Sequence, residues 1–317
     1  MSACALAVVS GILLCLGGCN QSPEVVIYSN ADEESRLAMQ DALDQAGFSG
    51  QYIFSSFSTS ELGGKIMAEG RNIEADVITA STYYLESAQQ ANRMFAPLSF
   101  TFHALEKTPD FCAPLTAQEG AIFINTRVLR ENGLPRPSSL KDLANPAYKG
   151  FVSIPHIRSS STAWLMVQAL AGTYGEQEAS RILHGIAENA GPHLENSGSG
   201  PLKKVRAGEV AIAFGLRHQA VADRKAGLPI GYVDPAEGNF MLTESVCVTE
   251  KGAGTNPLAM KVAEVLVHAA RPGILKVYPV PLYEGERAEE DARSSNVKAF
   301  PEPLTVELLK RHQALMN

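Results

Sequence analysis

The sequence has little positive charge for its length. Its 317 residues include 27 lysines and arginines against 34 aspartates and glutamates, so the formal net charge is −7 and the isoelectric point is near 5.6. A protein that binds nucleic acid needs a basic face toward the phosphate backbone, so this balance argues against such a partner. With 45% hydrophobic residues, the chain is a globular protein long enough for two lobes with separate cores.

The chain also lacks the common signatures of catalysis. It contains no Gly-x-Ser-x-Gly nucleophile turn and no phosphate-binding loop that ends in Gly-Lys-Ser or Gly-Lys-Thr. Its seven histidines show no zinc-like spacing with cysteine or glutamate. We therefore expect no enzyme activity, no cofactor and no metal site. A secreted hydrolase is the less favoured alternative.

Long hydrophobic runs are absent except over residues 5–16. Such a run is too short to span a bilayer, and the sequence Leu-Gly-Gly-Cys at residues 16–19 follows it directly. This order is typical of a cleaved export signal, whereas the alternative is a buried N-terminal helix. The tetrapeptide resembles the lipobox of bacterial lipoproteins. The resemblance implies a signal peptide over residues 1–18, lipid on Cys19, and a location at the periplasmic face of the cell envelope.

Cysteine is scarce in the remaining chain. Of the five cysteines, Cys4 and Cys15 fall in the predicted signal peptide and Cys19 carries the predicted lipid. Cys112 and Cys247 are left, an even pair in an oxidising compartment. The pair is compatible with a disulfide at a crossing between lobes, and the alternative is two separately buried thiols.

The mature chain has the pattern of an α/β protein. Residues 25–28, 51–54 and 76–80 are short apolar segments typical of strands, and small polar residues and helical spacing follow them. Ligands of open α/β sheets bind at the carboxyl ends of strands, so polar residues there are candidate contacts. These candidates are Asp32, Glu33, Ser58, Ser81 and Thr82.

Two polar segments precede helices in the middle of the chain, before a return strand predicted at residues 245–248. The first segment comprises Ser159, Ser160, Ser161 and Thr162, and the second includes Ser199 and Gly200. A helix start offers unpaired N–H groups and a positive dipole end, which suit a tetrahedral anion. The alternative for each segment is an ordinary helix cap.

Four segments in a fixed order carry a family pattern: residues 26–34, 74–78, 143–150 and 206–213. They resemble the extracytoplasmic solute-binding proteins of ABC importers, in the two-lobed class that includes ferric-ion, 2-aminoethylphosphonate and sugar-phosphate binders. The resemblance implies a type II periplasmic-binding-protein fold, with two α/β lobes joined by crossing hinge strands. We expect lobe 1 over residues 19–115 and 246–317, and lobe 2 over residues 116–245.

The family also implies a way of working. A monomer closes over a small-molecule anionic ligand and delivers it to an ABC permease in the inner membrane, and the binding involves no chemistry. A different class with the same fold, the ligand-sensing subunit of a signalling receptor, is an alternative.

The subfamily depends on Arg217 and His218. The resemblance implies that ferric binders place two adjacent tyrosines at these positions and a histidine near Asp32. Arginine does not ligate iron, but its planar guanidinium suits a phosphate or phosphonate. We therefore predict an organic oxyanion held by Arg217, with His218 beside it. A transport protein that binds Fe(III) is the alternative.

Carboxylates near the predicted cleft refine the ligand further. Asp32, Glu33 and Glu244 would repel a simple anion, so an inward-facing carboxylate needs a cationic group on the ligand. A zwitterion satisfies both ends, and 2-aminoethylphosphonate is the best candidate. In the alternatives, Asp32 and Glu33 cap the following helix, or the carboxylates accept protons from sugar hydroxyls.

Overall fold

A computed structural model of the protein describes residues 24–287, 291, 293–294 and 296–316. The predicted signal peptide and Cys19 lie outside the described residues. Within the described ranges, no helix combines the length and the apolar character needed to cross a bilayer.

Within the described residues, ten strands form one mixed sheet in the order β2-β1-β3-β9-β4-β7-β5-β6, with β8 paired to β4 and β10 paired to β9. The strands are β1 Val25–Ser29, β2 Tyr52–Ser56, β3 Val77–Ser81, β4 Cys112–Asn125, β5 Val152–Pro155, β6 Leu194–Glu195, β7 Ile212–Leu216, β8 Ile230–Val233, β9 Asn239–Val248 and β10 Val297–Lys298. The β1–β2, β1–β3 and β5–β7 pairs are parallel, as expected for strands connected through helices.

Eleven α-helices surround the sheet in the described part of the chain. They are α1 Glu33–Leu43, α2 Thr59–Glu69, α3 Thr82–Asn92, α4 Thr126–Glu131, α5 Ser161–Tyr174, α6 Glu176–Ala190, α7 Gly200–Ala207, α8 Arg217–Lys225, α9 Ala259–His268, α10 Arg271–Val277 and α11 Val306–Gln313. The predicted strands and helices are present, with ends that differ by a few residues.

Two long strands, β4 and β9, connect the two halves of the sheet. β9 pairs with β3 over residues 244–248, and β4 pairs with β7 over residues 120–124. The two strands are antiparallel to each other along most of their length. The return strand predicted at residues 245–248 begins earlier, at Asn239, because its first two residues pair with β10 and residues 241–244 pair with β4.

Cys112 and Cys247 lie opposite each other on β4 and β9 and form a disulfide with a Cα–Cα distance of 4.7 Å. This separation is within the usual range for a disulfide. Of the two arrangements that the sequence left open, the structure contains the disulfide. It joins β4 to β9 beside β3, because Cys247 is also paired with Ile78 of β3.

The helices reflect their apolar patterns. In α6, the buried residues Ala179, Ile182, Leu183 and Ile186 repeat at intervals of three and four, so one face is buried and the other is solvated. In α5, by contrast, ten consecutive residues from Ser161 to Leu170 are buried. The core of the second half of the sheet therefore encloses α5, including its first turn.

The C-terminal segment packs against α5 as well as α3. The indole N–H of Trp164 in α5 donates a 2.9 Å hydrogen bond to Nδ1 of His312 in α11. Trp164 also contacts the ring of Tyr83 in α3, with a centroid distance of 4.8 Å. Helix α11, which the sequence assigned to the first lobe, therefore lies against a helix of the second lobe too.

Candidate functional site

A cavity of about 210 Å³ lies where the strand ends of the two halves face each other. Its walls come from the loops after β1 and β2, from β4 and β9, and from the starts of α5 and α7. The lining residues are Asn30, Ala31, Asp32, Phe57, Ser58, Thr59, Gln118, Ser159, Ser160, Ser161, Thr162, Asn196, Ser197, Gly198, Ser199, Leu216, Gln219, Glu244 and Tyr278. We call this cavity the cleft.

One wall of the cleft is the start of α5. Ser160 caps this helix by accepting a 3.3 Å hydrogen bond from the N–H of Thr162 through its Oγ. Ser161 and Thr162 follow in the first turn, where backbone N–H groups have no partner within the helix. Both residues are buried. This wall therefore concentrates hydroxyls and a positive helix end in a desolvated place.

The start of α7 adjoins that of α5. The N–H of Gly200 donates to Oγ of Ser197 at 3.1 Å, which folds the loop tightly before the helix. A Cβ atom on Gly198 would lie 2.3 Å from Oγ1 of Thr162. Only glycine lets the two helix starts come so close, and the hydroxyls of both loops therefore line the same wall.

Another part of the lining is acidic, and it contains Asp32 and Glu244. Glu244 on β9 accepts hydrogen bonds from Nδ2 of Asn30 at 3.0 Å and from Oγ1 of Thr116 at 3.2 Å. Burial, and next the charge of Asp32, raise the pKa of the Glu244 carboxyl to about 7. A cationic group in the cleft would favour the ionised form of this carboxyl.

Asp32 serves both a helix and the cleft. Its Oδ1 accepts a 3.1 Å hydrogen bond from the N–H of Ser35 and so caps α1, while its Oδ2 accepts one from the hydroxyl of Tyr278. Burial, and then the charges of Asp32 and Glu244, hold the pKa of the Tyr278 hydroxyl well above its usual range. The phenol therefore stays a donor to the carboxylate.

The structure brings most of the predicted residues together. Eight of them line the cleft: Asp32, Ser58, Ser159, Ser160, Ser161, Thr162, Ser199 and Glu244. Oγ1 of Thr59 and Oγ of Ser161 lie 3.5 Å apart, so the loop after β2 meets the start of α5. The strand ends and the serine-rich helix start thus contribute to a single site.

Six other predicted contacts lie outside the cleft lining, and Arg217 is the last of them described below. Glu33 is exposed in the first turn of α1, and Ser81 is buried within β3. Thr82 donates its hydroxyl proton to the carbonyl of Thr243 at 3.0 Å. A Cβ atom on Gly200 would meet the side chain of Glu195, so Gly200 serves the packing of α7.

The fifth of these residues, His218, lines a second cavity of about 460 Å³ between α8 and α10. Burial lowers the pKa of its imidazole to about 3, so the ring is neutral. It packs against the ring of Tyr278 at a centroid distance of 4.3 Å. His218 therefore does not line the cleft itself but packs against Tyr278, which does.

Arg217, the predicted anion contact, is turned away from the cleft. Its Nε donates to Oδ1 of Asp234 at 2.8 Å, and its Nη1 donates to the carbonyl of Asp291 at 2.6 Å. The guanidinium also lies 4.7 Å from the ring centroid of Tyr232. The side chain is buried with these partners, which satisfy its charge, so the structure does not bring it to a ligand in the cleft.

Sequence reasoning missed several cleft residues. Asn30 and Gln118 carried a local signal, because each is a polar side chain beside or within an apolar strand. Tyr278 and Gln219 carried none, because Tyr278 reaches Asp32 across 246 positions and Gln219 lies in a polar helix start. Nowhere in the described ranges do three or more His, Cys, Asp or Glu side chains form a group suited to a metal ion.

Solved structures share this architecture. AfuA, a periplasmic binding protein from Actinobacillus pleuropneumoniae solved with exogenous fructose-6-phosphate bound, is 19% identical and matches with a TM-score of 0.71. The match covers 93% of this chain and 97% of AfuA. A periplasmic thiamin binding protein is 16% identical with a TM-score of 0.74, over 94% of this chain and 96% of that one. The fold and the cleft therefore define a two-lobed periplasmic-binding-protein architecture.

The chain belongs to a family described as bacterial extracellular solute-binding protein, whose sequence profile matches residues 73–292. An uncharacterized protein of Haemophilus influenzae is 27% identical over 185 residues. That match covers 55% of this chain and 53% of the relative, so the chain spans about half the length of this curated relative. The predicted family and fold class are confirmed, and the family functions outside the cytoplasm by binding solutes.

Proposed function

We propose that this protein captures a small phosphonate- or phosphate-bearing organic anion in the cleft, with 2-aminoethylphosphonate as the best candidate, and delivers it to an ABC permease. One observation carries the proposal: two helix starts rich in hydroxyls and two carboxylates, Asp32 and Glu244, line the same cavity. The helix starts suit the oxyanion, and the carboxylates suit an ammonium group.

The charge of the cleft supports a zwitterion over a simple anion. Among the described residues, neither lysine nor arginine lines the cavity, so hydroxyls and N–H groups alone would hold the oxyanion. Asp32 and Glu244 lie close enough for the charge of one to raise the pKa of the other. A ligand with a cationic end relieves this repulsion, whereas a ligand without one adds to it.

The neighbouring structures share the fold but do not identify the ligand of this protein. AfuA was solved with a sugar phosphate, and another neighbour is a thiamin binding protein. Identities of 19% and 16% carry the fold alone, so the ligand class here depends on the residues of the cleft. We take sugar phosphates as competitors in the test below.

Transport of Fe(III) is the second candidate, because three oxygen-bearing side chains share the acidic wall. Asp32, Glu244 and the phenol of Tyr278 are hard donors of the kind that Fe(III) prefers. The phenol must lose its proton to bind iron, and in this structure it donates that proton in a hydrogen bond to Asp32. The organic zwitterion needs no such ionisation, so we favour it.

Isothermal titration tests the proposal with 2-aminoethylphosphonate, ethylphosphonate, fructose 6-phosphate and ferric citrate. We expect 2-aminoethylphosphonate to bind, and ethylphosphonate, which lacks the amine, to bind at least about tenfold more weakly. The proposal fails if no phosphorus compound binds, or if ferric citrate binds more tightly than all of them.

Two variants test separately how the anionic end and the cationic end of the ligand are bound. Ser161→Ala removes a hydroxyl from the helix start and should weaken both phosphonates about tenfold, because a hydrogen bond to a charged group is lost. Glu244→Gln should weaken 2-aminoethylphosphonate and leave ethylphosphonate unchanged or tighter. Ser180→Ala, which removes a serine hydroxyl bonded to the carbonyl of Leu315, serves as the control and should change neither affinity.

The lipid anchor and the lobe boundaries are part of the proposal. Cys19 lies in a lipobox-like sequence, and Cys19→Ser should release the protein from the membrane fraction.

We propose hinges near residues 115–116 and 245–246, which the pairing of Thr116 with Glu244 across β4 and β9 supports. Small-angle scattering should record a smaller radius of gyration with 2-aminoethylphosphonate, because the lobes close over it. An unchanged radius would contradict the hinge positions.

A further inference from the structure

The carboxyl group of Glu244 is surrounded by neutral hydrogen-bonding groups. The residue is only 8% exposed, and its oxygens contact the amide of Asn30 and the hydroxyl of Thr116. Gln118, which also lines the cleft, adds a second amide beside it. A protonated carboxyl group keeps acceptor capacity, so these contacts are possible in both of its protonation states. The hydrogen bonds therefore do not require Glu244 to be ionised.

The titratable groups that face Glu244 do not include a cation. They are Asp32 before α1, Tyr83 in α3 and Tyr278 after α10. Burial holds the pKa values of both phenols well above the usual range, so the phenols are neutral. Asp32 adds negative charge, and in the described part of the chain neither lysine nor arginine lines the cleft. An ionised Glu244 therefore has no compensating charge in the lining.

The ligand-free carboxyl group consequently holds its proton near neutral pH. Burial, and next the charge of Asp32, raise the pKa of Glu244 to about 7, so about half of the molecules carry this proton at pH 7. A positive charge in the same cavity is poorly screened, and its attraction is about fourfold stronger at an effective dielectric constant of 20 than in water. Such a charge should make the carboxyl group ionise.

We propose that capture of a ligand with a cationic end releases a proton from Glu244, so that pH controls how tightly the cleft binds. This inference rests on the proposed function and adds its pH dependence. The proton passes from the carboxyl group to the solvent, and the cationic group of the ligand compensates the charge that remains. A ligand with only an anionic end should have the opposite effect, because it favours the protonated carboxyl and takes up a proton.

The affinity for 2-aminoethylphosphonate should therefore rise with pH. Between pH 6 and pH 8 the ligand-free carboxyl group loses its proton, and binding no longer has to remove it. With a pKa of about 7 before binding and one well below 6 in the complex, this factor is about tenfold. The affinity of the wild type divided by that of Glu244→Gln isolates the factor, because titration of the ligand affects both proteins alike.

Isothermal titration in buffers of different ionisation enthalpy counts the protons directly. At pH 7 the wild type should release about half a proton more per 2-aminoethylphosphonate than Glu244→Gln does, and at pH 8 about one-tenth more. With ethylphosphonate, which lacks the amine, the sign of this difference should reverse at pH 7. Equal proton counts in the two proteins at pH 7, or an excess release with both ligands, would overturn the inference.

Glu119 provides a matched control. It is 3% exposed, and burial raises the pKa of its carboxyl group, but it does not line the cleft. Glu119→Gln should therefore keep the proton count of the wild type. Loss of the release in both variants would mean that the proton does not come specifically from Glu244, and the inference would be wrong.

Two outcomes separate this inference from the proposed function. If 2-aminoethylphosphonate binds with equal proton counts in the wild type and Glu244→Gln, the proposed function stands and the inference fails. If no phosphorus compound binds, the proposed function fails, and 2-aminoethanol becomes the cationic probe. An excess release by the wild type with 2-aminoethanol would support the inference, and equal counts or no binding would overturn it.

Discussion

Nδ2 of Asn30 donates a 3.0 Å hydrogen bond to Oε1 of Glu244, although 214 positions separate the two residues. The contact joins the end of β1 to β9, one of the two strands that cross between the halves of the sheet. It holds a carboxyl group in the interior of the cleft, where water cannot solvate the charge. The energetic cost of this arrangement is measurable, and a ligand with a cationic end removes it.

We expect Glu244→Gln to stabilise the ligand-free protein at high pH. The pKa of the buried Glu244 carboxyl is raised from 4.5 to about 7. Below pH 4.5 the group is protonated in both the folded and the unfolded states, so it contributes no difference. As the pH rises to 7 only the unfolded state ionises, and stability falls until the penalty is complete above pH 7.

The variant removes this penalty. Its free energy of unfolding relative to the wild type should therefore be higher at pH 8 than at pH 5, by on the order of 2–3 kcal/mol. Urea unfolding at the two pH values measures the difference. A pH-independent difference would mean that Glu244 titrates normally in the folded protein.

We expect Arg217→Ala to reduce stability rather than affinity. The change leaves the carboxylate of Asp234 without its partner in a largely buried place and should cost about 3 kcal/mol of unfolding free energy. Affinity for 2-aminoethylphosphonate, measured well below the melting temperature, should change less than about twofold. A strong loss of binding with unchanged stability would show that Arg217 contacts the ligand after all.

A double variant checks the pairing. Asp234→Ala should destabilise the protein as Arg217→Ala does, and the two changes together should cost less than the sum of the separate effects. Additive effects would show that the two side chains do not depend on each other.

We expect Gly198→Ala to weaken ligand binding with little loss of stability. The added Cβ would lie 2.3 Å from Oγ1 of Thr162, so the loop before α7 must move away from the start of α5. Separation of the two hydroxyl-rich loops should lower the affinity for 2-aminoethylphosphonate by about tenfold. Gly64→Ala in α2, where the added Cβ meets no atom within 4 Å, is the control. Unchanged binding in Gly198→Ala would mean that the anion does not use both loops.

We expect the Cys112–Cys247 disulfide to stabilise the protein strongly. It closes a loop with a sequence separation of 135, so its loss should lower the free energy of unfolding by about 4 kcal/mol. The variant Cys112→Ala/Cys247→Ala, compared with the wild type in urea, measures the change. A reducing agent should destabilise the wild type and leave the variant unaffected. Equal sensitivity of the two would indicate that the thiols are not joined.

The sequence by itself determined the fold class and much of the cleft. Asp32 and Ser58 follow strands of the sheet, and the residues from Ser159 to Thr162 precede a helix. These features are local, and the rules of α/β sheets bring strand ends and helix starts to one edge. For that reason the serine-rich segments and the carboxylates Asp32 and Glu244 could be predicted as neighbours.

Tertiary structure alone decided where α8 directs its first three side chains. Successive residues of a helix point about 100° apart. Arg217 consequently reaches Asp234, His218 lines the second cavity, and Gln219 lines both cavities. The sequence identified the helix start but not its rotation about its own axis, because packing against distant strands sets that rotation. The family pattern therefore pointed to Arg217, whereas the residue of α8 that lines the cleft is Gln219, two positions later.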